Sequence, residues 1–239
     1  MLASIHFEEI LFIDIETVPQ QPSFELLDDD FKMLWTDKTR FTREKQQLSV
    51  EQSYESAGIY AEFGKVICVG AGYFAQKKGE RVFRCTSFSG HDEKKVLEGF
   101  ASLLETHTNN PFKLLCAHNG KEFDFPYLSR RMLVNGIKLP MMLDTAGRKP
   151  WEVSHIDTLE LWKFGDFKHY TSLKLLAKIF GVPTPKDDID GSQVRQVYWE
   201  EKNLERIDIY CRKDVLTVAQ IFLRYKGEPI LEEKSVFSV

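Results

Sequence analysis

Five side chains in three separated stretches are of types and spacings that could do chemistry together: Asp14 and Glu16, Asp124, and Tyr210 with Asp214. The first pair lies in residues 10–17, Ile-Leu-Phe-Ile-Asp-Ile-Glu-Thr, which reads as a central strand. Ile10 and Phe12 fall on one face and Leu11, Ile13 and Ile15 on the other, so both faces are apolar and both are expected to be covered. Two residues apart on a strand, Asp14 and Glu16 project to the same side, roughly 7 Å apart, and repel when both are ionised. A shared cation would remove the conflict; alternatively the strand reaches solvent at Glu16, before Thr17 and Pro19, and leaves two hydrated carboxylates. Asp124 follows a short apolar segment, in residues 118–128, near a helix start where an aspartate also serves as an ordinary cap. Asn119 can equally be a turn residue. Tyr210 and Asp214 are four apart in a long helical stretch, one turn apart on one face. Ile207, Val218 and Ile221 continue that side, where an unpaired charge is costly; the alternative is an aspartate at the stripe edge, bonded to Arg212 or a solvent neighbour.

The elements that must position these residues can be read in order. Residues 22–58 are charged and Gln/Glu-rich with scattered aromatics and read as an insertion, with Phe24, Leu27, Phe31, Leu34 and Trp35 at helical spacing and a second, more polar helix over 43–60. The pair is expected to cap a core rather than to bind a cofactor. Residues 66–74 and 81–88 read as strands joined by a turn at 76–80, giving an antiparallel meander with the first strand. A helix over 91–106, a short buried strand over 114–117 and a helix over 123–134, stopped by Asn135 and Gly136, follow. Residues 156–161 fit a strand or a short helix. A helix over 172–180, with Leu173, Leu176 and Ile179 inward, ends at Gly181 and Pro183. Two last helical stretches lie near Val194 and over 204–225, and the tail after Gly227 and Pro229 is an extra strand or a loose end. Strands, helix and strand after a meander imply an α/β domain with a mixed sheet.

Composition sets the bounds. At 239 residues and 43% hydrophobic content, residues 1–239 can form a single domain, or one domain with a small appendage. A net charge of −4 argues against a general polyanion-coating protein, so nucleic-acid contact would be local and partly metal-mediated. Cys68, Cys85, Cys116 and Cys211 show no Cys-x-x-Cys pair and no zinc pattern, which points to reduced, buried thiols. No basic leader with an apolar core precedes the first strand, and no apolar run is long enough to span a bilayer; a soluble, cytoplasmic protein is expected.

Taken together, Asp-x-Glu-Thr on a first strand, Asn-x-x-x-Phe-Asp after a later one and Tyr-x-x-x-Asp near the C-terminus resemble the three exonuclease motifs of the DEDD superfamily, in its tyrosine subtype. In the histidine subtype a His precedes the last Asp by five residues; that position here is Ile209. Residues 119–128, with their Phe-Asp-x-Pro-Tyr-Leu run, look most like the proofreading exonuclease domain of family B DNA polymerases, and residues 172–181 are similar to it too. The resemblance spans about residues 11–219 but leaves the insertion unaccounted for, and there is no room for a polymerase domain. It implies a ribonuclease H-like fold, a mixed central sheet flanked by helices, and 3′-to-5′ exonuclease activity on single-stranded nucleic acid, with DNA favoured over RNA.

The resemblance also implies roles. Two divalent ions, Mg2+ or Mn2+, would suit the hard oxygen ligands. Asp14 would bridge both, Glu16 and Asp214 would hold the ion on the nucleophile side, and Asp124 the other, partly through water. Tyr210 would orient the attacking water rather than act as a strong base, a phenol's ordinary pKa being about 10. Thr17, Asn119 and Phe123 would grip the terminal nucleotide. Asp157 fits either support of the site or a structural cap. Lys163, Lys168, His169, Tyr170 and Lys174 form a basic and aromatic stretch that fits a strand's phosphates and bases, or simply a solvated face. A competing reading is a non-catalytic nucleic-acid-binding or scaffold module of the same fold, but such a module has no need to keep four mutually repelling carboxylates.

Overall fold

The computed structural model describes residues 5–105, 112–166, 170–183 and 189–238. β1 (Ile10–Pro19), β2 (Gly64–Lys77) and β3 (Glu80–Ser89) form the antiparallel meander, turning tightly at Lys78 and Gly79. β4 (Leu114–Ala117) then pairs parallel with β1, and the two-residue β5 (Ile156–Asp157) parallel with β4. β6 (Val236–Ser238) adds to the far edge, so the sheet order is β5-β4-β1-β2-β3-β6. The result is a mixed sheet flanked by helices, ribonuclease H-like in its meander-then-parallel order, with β1 near its middle. The tail forms a strand.

The alternation read in β1 is realised. Leu11, Ile13 and Ile15 pack with Leu97 and Phe100 of α3 (Glu93–Glu105) and with Phe125, Leu128 and Met132 of α4 (Asp124–Val134). Ile10 and Phe12 pack on the opposite side against Val215, Val218 and Phe222 of the long helix, residues Leu204–Tyr225. By that alternation Asp14 and Glu16 face the long helix one turn nearer its N-terminus. Gly70, the β2 partner of Asp14, makes the close approach possible: a Cβ there would meet Val215 at 2.7 Å and the Cys211 sulfur at 3.0 Å.

The insertion differs from expectation in its boundaries. α1 runs Asp29–Gln46, capped by Asp28, whose side chain accepts from the Phe31 amide, and stopped by Gln47 in a left-handed conformation. The second helix, expected over 43–60, is only α2 (Val50–Tyr54), because a Ser49/Gln52 capping box restarts the chain there. Trp35, Tyr54, Ala57 and Phe63 build a small core of their own, whereas Leu34 points outward. In the other elements, residues 156–161 satisfy both alternatives, β5 passing directly into α5 (Thr158–Lys163). α6 (Leu173–Phe180) buries Leu176 and Ala177, not Ile179, which is 55% exposed: the stripe facing the long helix follows 173, 176, 177 and 180. α7 (Val194–Trp199) precedes α8, the long helix. Thr106, Lys168 and His169 lie outside the described residues.

A buried ion pair fixes α4, and with it the start of the segment bearing Asp124. Arg131 Nε and Nη2 donate to the two Glu93 carboxylate oxygens at 2.8 and 2.6 Å, and Nη1 donates to the Ala61 carbonyl at 2.9 Å. Glu93 also accepts from the Val66 amide and from Asn135. Arg131→Met leaves the Glu93 charge buried without its partner and is expected to cost roughly 3–5 kcal/mol of stability, read by urea unfolding; a loss under about 1 kcal/mol would show the pair to be dispensable.

Candidate active site

The five residues picked out by type and spacing and the three added by the family resemblance all line one cavity of about 580 Å³: Asp14, Glu16 and Thr17 from β1, Asn119 and Phe123 from the turn after β4, Asp124 from α4, and Tyr210 and Asp214 from α8. Three distant stretches converge because β1 lies between β2 and β4 while α8 crosses its face. Two of the carboxylates are buried and two, Asp14 and Asp214, half-buried. Glu16 is 7% exposed and Asp124 4%, which removes the solvated-strand-end alternative for Glu16.

Asp124 is more than a cap. Phe123 holds the N-cap position without a side-chain capping bond, and the Asp124 carboxylate accepts from its own amide and from the Ile15 amide of β1. β4 pairs with β1 only as far as Phe12, which leaves that amide on an open edge. In α8 Arg212 bridges to Asp208 at 2.9 Å, and the Tyr210 hydroxyl bonds Asp214.

The electrostatics of the cluster are one-sided. Burial, then the charges of Glu16, Asp214 and Asp124, push the Asp14 carboxyl well above the usual range. Burial and the charge of Asp214 do the same to Glu16. Asp124 is pushed up to about 7, mainly by burial. Tyr210 is held firmly protonated by burial, by neighbouring negative charge and by its bond to Asp214. The charges acting on Asp14 are all negative, and ligand atoms of Asp14, Glu16 and Cys211 lie within 4.8 Å of one another. Such an oxygen-rich, uncompensated cluster fits divalent cations.

The sequence does not single out several residues in or directly behind the cavity wall. Cys211 is fully buried and donates through its sulfur to the Asp14 carbonyl at 3.4 Å; only its place beside Tyr210 hinted at this. Ser56, Gly58 and Ile59 bring the end of the insertion into the wall, with Gly58 held by the Tyr127 hydroxyl at 2.7 Å. Thr17 in turn bonds the Tyr127 phenol. His118, Tyr170, Lys174 and Arg195 also line the cavity. Of the basic and aromatic stretch, Tyr170 and Lys174 line the cavity and Lys163 does not. His118 is fixed by the Thr158 hydroxyl at 3.0 Å and by donating to the Thr171 carbonyl at 2.9 Å.

Residues 59–230, more than half of the chain, match the family described as "Predicted 3'-5' exonuclease related to the exonuclease domain of PolB". The chain belongs to this family. The match takes in Asn119, Phe123, Asp124, Tyr210 and Asp214 but begins after Asp14, Glu16, Thr17 and the insertion; strand pairing is what joins those residues to the rest. Among solved structures, the family B DNA polymerase from the hyperthermophilic archaeon Pyrobaculum calidifontis is similar at 16% identity, with a TM-score of 0.48 and 90% of this chain covered. The chain spans 24% of that polymerase's length. No helix among the described residues is long and apolar enough to cross a membrane.

Proposed function

We propose that this member of the PolB-like exonuclease family is itself a metal-dependent 3′-to-5′ exonuclease that removes nucleotides from single-stranded ends, DNA in preference to RNA. The observation that carries the reading is the convergence of four carboxylates and one tyrosine in a single cavity, where burial and like charge leave the carboxylates in need of a cation. Asp14, Glu16, Asp124 and Asp214 would hold two divalent ions, Mg2+ or Mn2+, which when bound supply charge neutralisation at the phosphoryl group and activation of water.

The chain's own residues complete the chemistry. With its proton committed to Asp214, the Tyr210 oxygen is an acceptor that can orient water but not a base that removes its proton. Thr17, Asn119 and Phe123 border the carboxylates and are placed to hold the terminal nucleotide. Tyr170, 68% exposed, and Ile59, 58% exposed, offer apolar faces to unpaired bases, and Lys174 a cation to the backbone. These exposed apolar groups beside the carboxylates favour a single strand over a duplex, whose bases are already stacked. The four cysteines are free and buried, which supports a reducing compartment such as the cytoplasm.

The polarity is tested with two substrates of one sequence, a linear single strand and its covalently closed circle. The linear strand is expected to yield mononucleotides and the circle to resist. Rapid cutting of the circle would replace the exonuclease assignment with an endonuclease.

A further inference from the structure

Asp157 ends the two-residue strand beside β4 and is 3% exposed, yet its two carboxylate oxygens carry different loads. Oδ1 accepts from the Leu159 and Glu160 amides at 2.9 and 3.4 Å, which caps α5. The same oxygen accepts from the Asn119 amide at 2.9 Å, and Oδ2 accepts from the Lys121 amide at 3.1 Å. A helix cap needs one oxygen and its own helix's amides. The bonds to Asn119 and Lys121 serve a different segment, the turn leading into α4.

That turn has little freedom of its own to settle where α4 begins. Asn119 sits at φ 62°, a conformation its side chain tolerates better than most. Its carbonyl accepts from the Glu122 and Phe123 amides at 3.2 and 3.0 Å, and the Gly120 carbonyl from Phe125 at 2.9 Å. Gly120 is wedged so closely that a Cβ would meet Ala117 at 2.5 Å and Phe125 at 2.9 Å. Residue by residue the bonds run from Asp157 through the turn to Asp124, whose carboxylate reaches the Ile15 amide.

We propose that Asp157 is a positioning residue for the metal centre: by gripping the amides of Asn119 and Lys121 it sets the turn that aims Asp124, and it does so in addition to capping α5. This rests on the metal-site reading given above. Asp157 need touch neither metal nor strand. Its carboxylate also places negative charge near Asp124, which favours cation binding there.

Two substitutions separate the loads. Asp157→Ser keeps a good cap for α5 but is too short to reach Lys121. Asp157→Asn is isosteric and keeps one acceptor oxygen, while its amide nitrogen cannot accept from the Lys121 amide. Ser49→Ala, which removes the α2 cap in the insertion, is the control for simple loss of a cap. Melting is measured in chelator and in excess Mn2+, and kcat and KM on a labelled single strand. All three variants are expected to melt a few degrees lower in chelator. Ser49→Ala retains the full Mn2+-induced rise and wild-type kcat; both Asp157 variants lose at least about half of the rise, and kcat falls roughly 10- to 100-fold with KM changed less than about 3-fold. Asp157 variants with the full Mn2+-induced rise and wild-type kcat would reduce Asp157 to a helix cap, and an Asp157→Asn protein that fails to fold would overturn the proposal as well. A wild-type protein that is stabilised by Mn2+ but cuts no strand refutes the exonuclease reading alone, since the melting comparison still reads the role of Asp157.

Discussion

Asp214→Asn is expected to reduce strand hydrolysis by roughly 10³-fold or more while leaving the fold intact. The substitution removes one of the charges that repel Asp14, Glu16 and Tyr210's phenolate form, so the metal-free protein should melt at the wild-type temperature or slightly above it. The metal-induced rise in melting temperature should shrink, because a ligand charge is gone. Tyr210→Phe is expected to fail differently. It deletes a hydroxyl that orients water and bonds Asp214, so the metal-induced rise should survive while turnover falls roughly 10- to 1000-fold. Measuring magnesium-dependent melting and turnover for both variants on the same strand separates a ligand from an orienting group. Full turnover in Tyr210→Phe would return Tyr210 to a packing role.

The second large effect is the dependence of stability on metal and pH. Asp14, Glu16 and Asp124 have folded pKa values raised above their ordinary 3.8 to 4.5. A carboxyl raised in this way binds its proton more tightly folded than unfolded. Its contribution to stability is therefore fully present below the ordinary value and is lost as pH rises through the folded value, about 7 for Asp124. In chelator, melting should fall between about pH 5 and pH 8. Saturating Mg2+ or Mn2+ binds the ionised carboxylates of the native form and should oppose that fall, raising melting by about 5–10 °C at pH 8 if metal stands near 100 times its dissociation constant. The rise should diminish toward pH 5, where protons compete for the same oxygens. Equal melting curves in metal and chelator at pH 8 would count against a formed metal site.

The sequence made the site more legible than its surroundings, and the reason is physical. Alternation in β1 holds from Ile10 to Glu16 because both faces are buried there, before the register shift between Glu16 and Thr17, and the i, i+4 relation of Tyr210 and Asp214 is fixed by helix geometry, so types and spacing alone place these groups. Asp124 was ambiguous from sequence because an aspartate at a helix start has a local use. Only the open edge of β1 beyond Phe12 shows where its carboxylate goes. Ile59 leaves no signal and Cys211 none beyond its place beside Tyr210, since a buried thiol and an apolar residue in a turn have many ordinary uses. The break in the insertion falls at Gln47 and the Ser49/Gln52 capping box rather than at residue 43, because a polar surface helix has too weak an apolar period to mark its own end. A spacing of three from Leu173 points Ile179 inward, whereas the stripe on α6 also takes the fourth position and buries Ala177.

The central claim is that Asp14, Glu16, Asp124 and Asp214 hold divalent metal for hydrolysis at a 3′ end. The most direct measurement follows a 5′-end-labelled single DNA strand incubated with the purified protein in Mg2+, in Mn2+ and in chelator, alongside Asp14→Asn prepared identically. A ladder of labelled strands shortening one nucleotide at a time from the 3′ end, in metal only and absent from Asp14→Asn, is the expected result. An unshortened strand in both metals, or the same shortening in chelator or with Asp14→Asn, would contradict it.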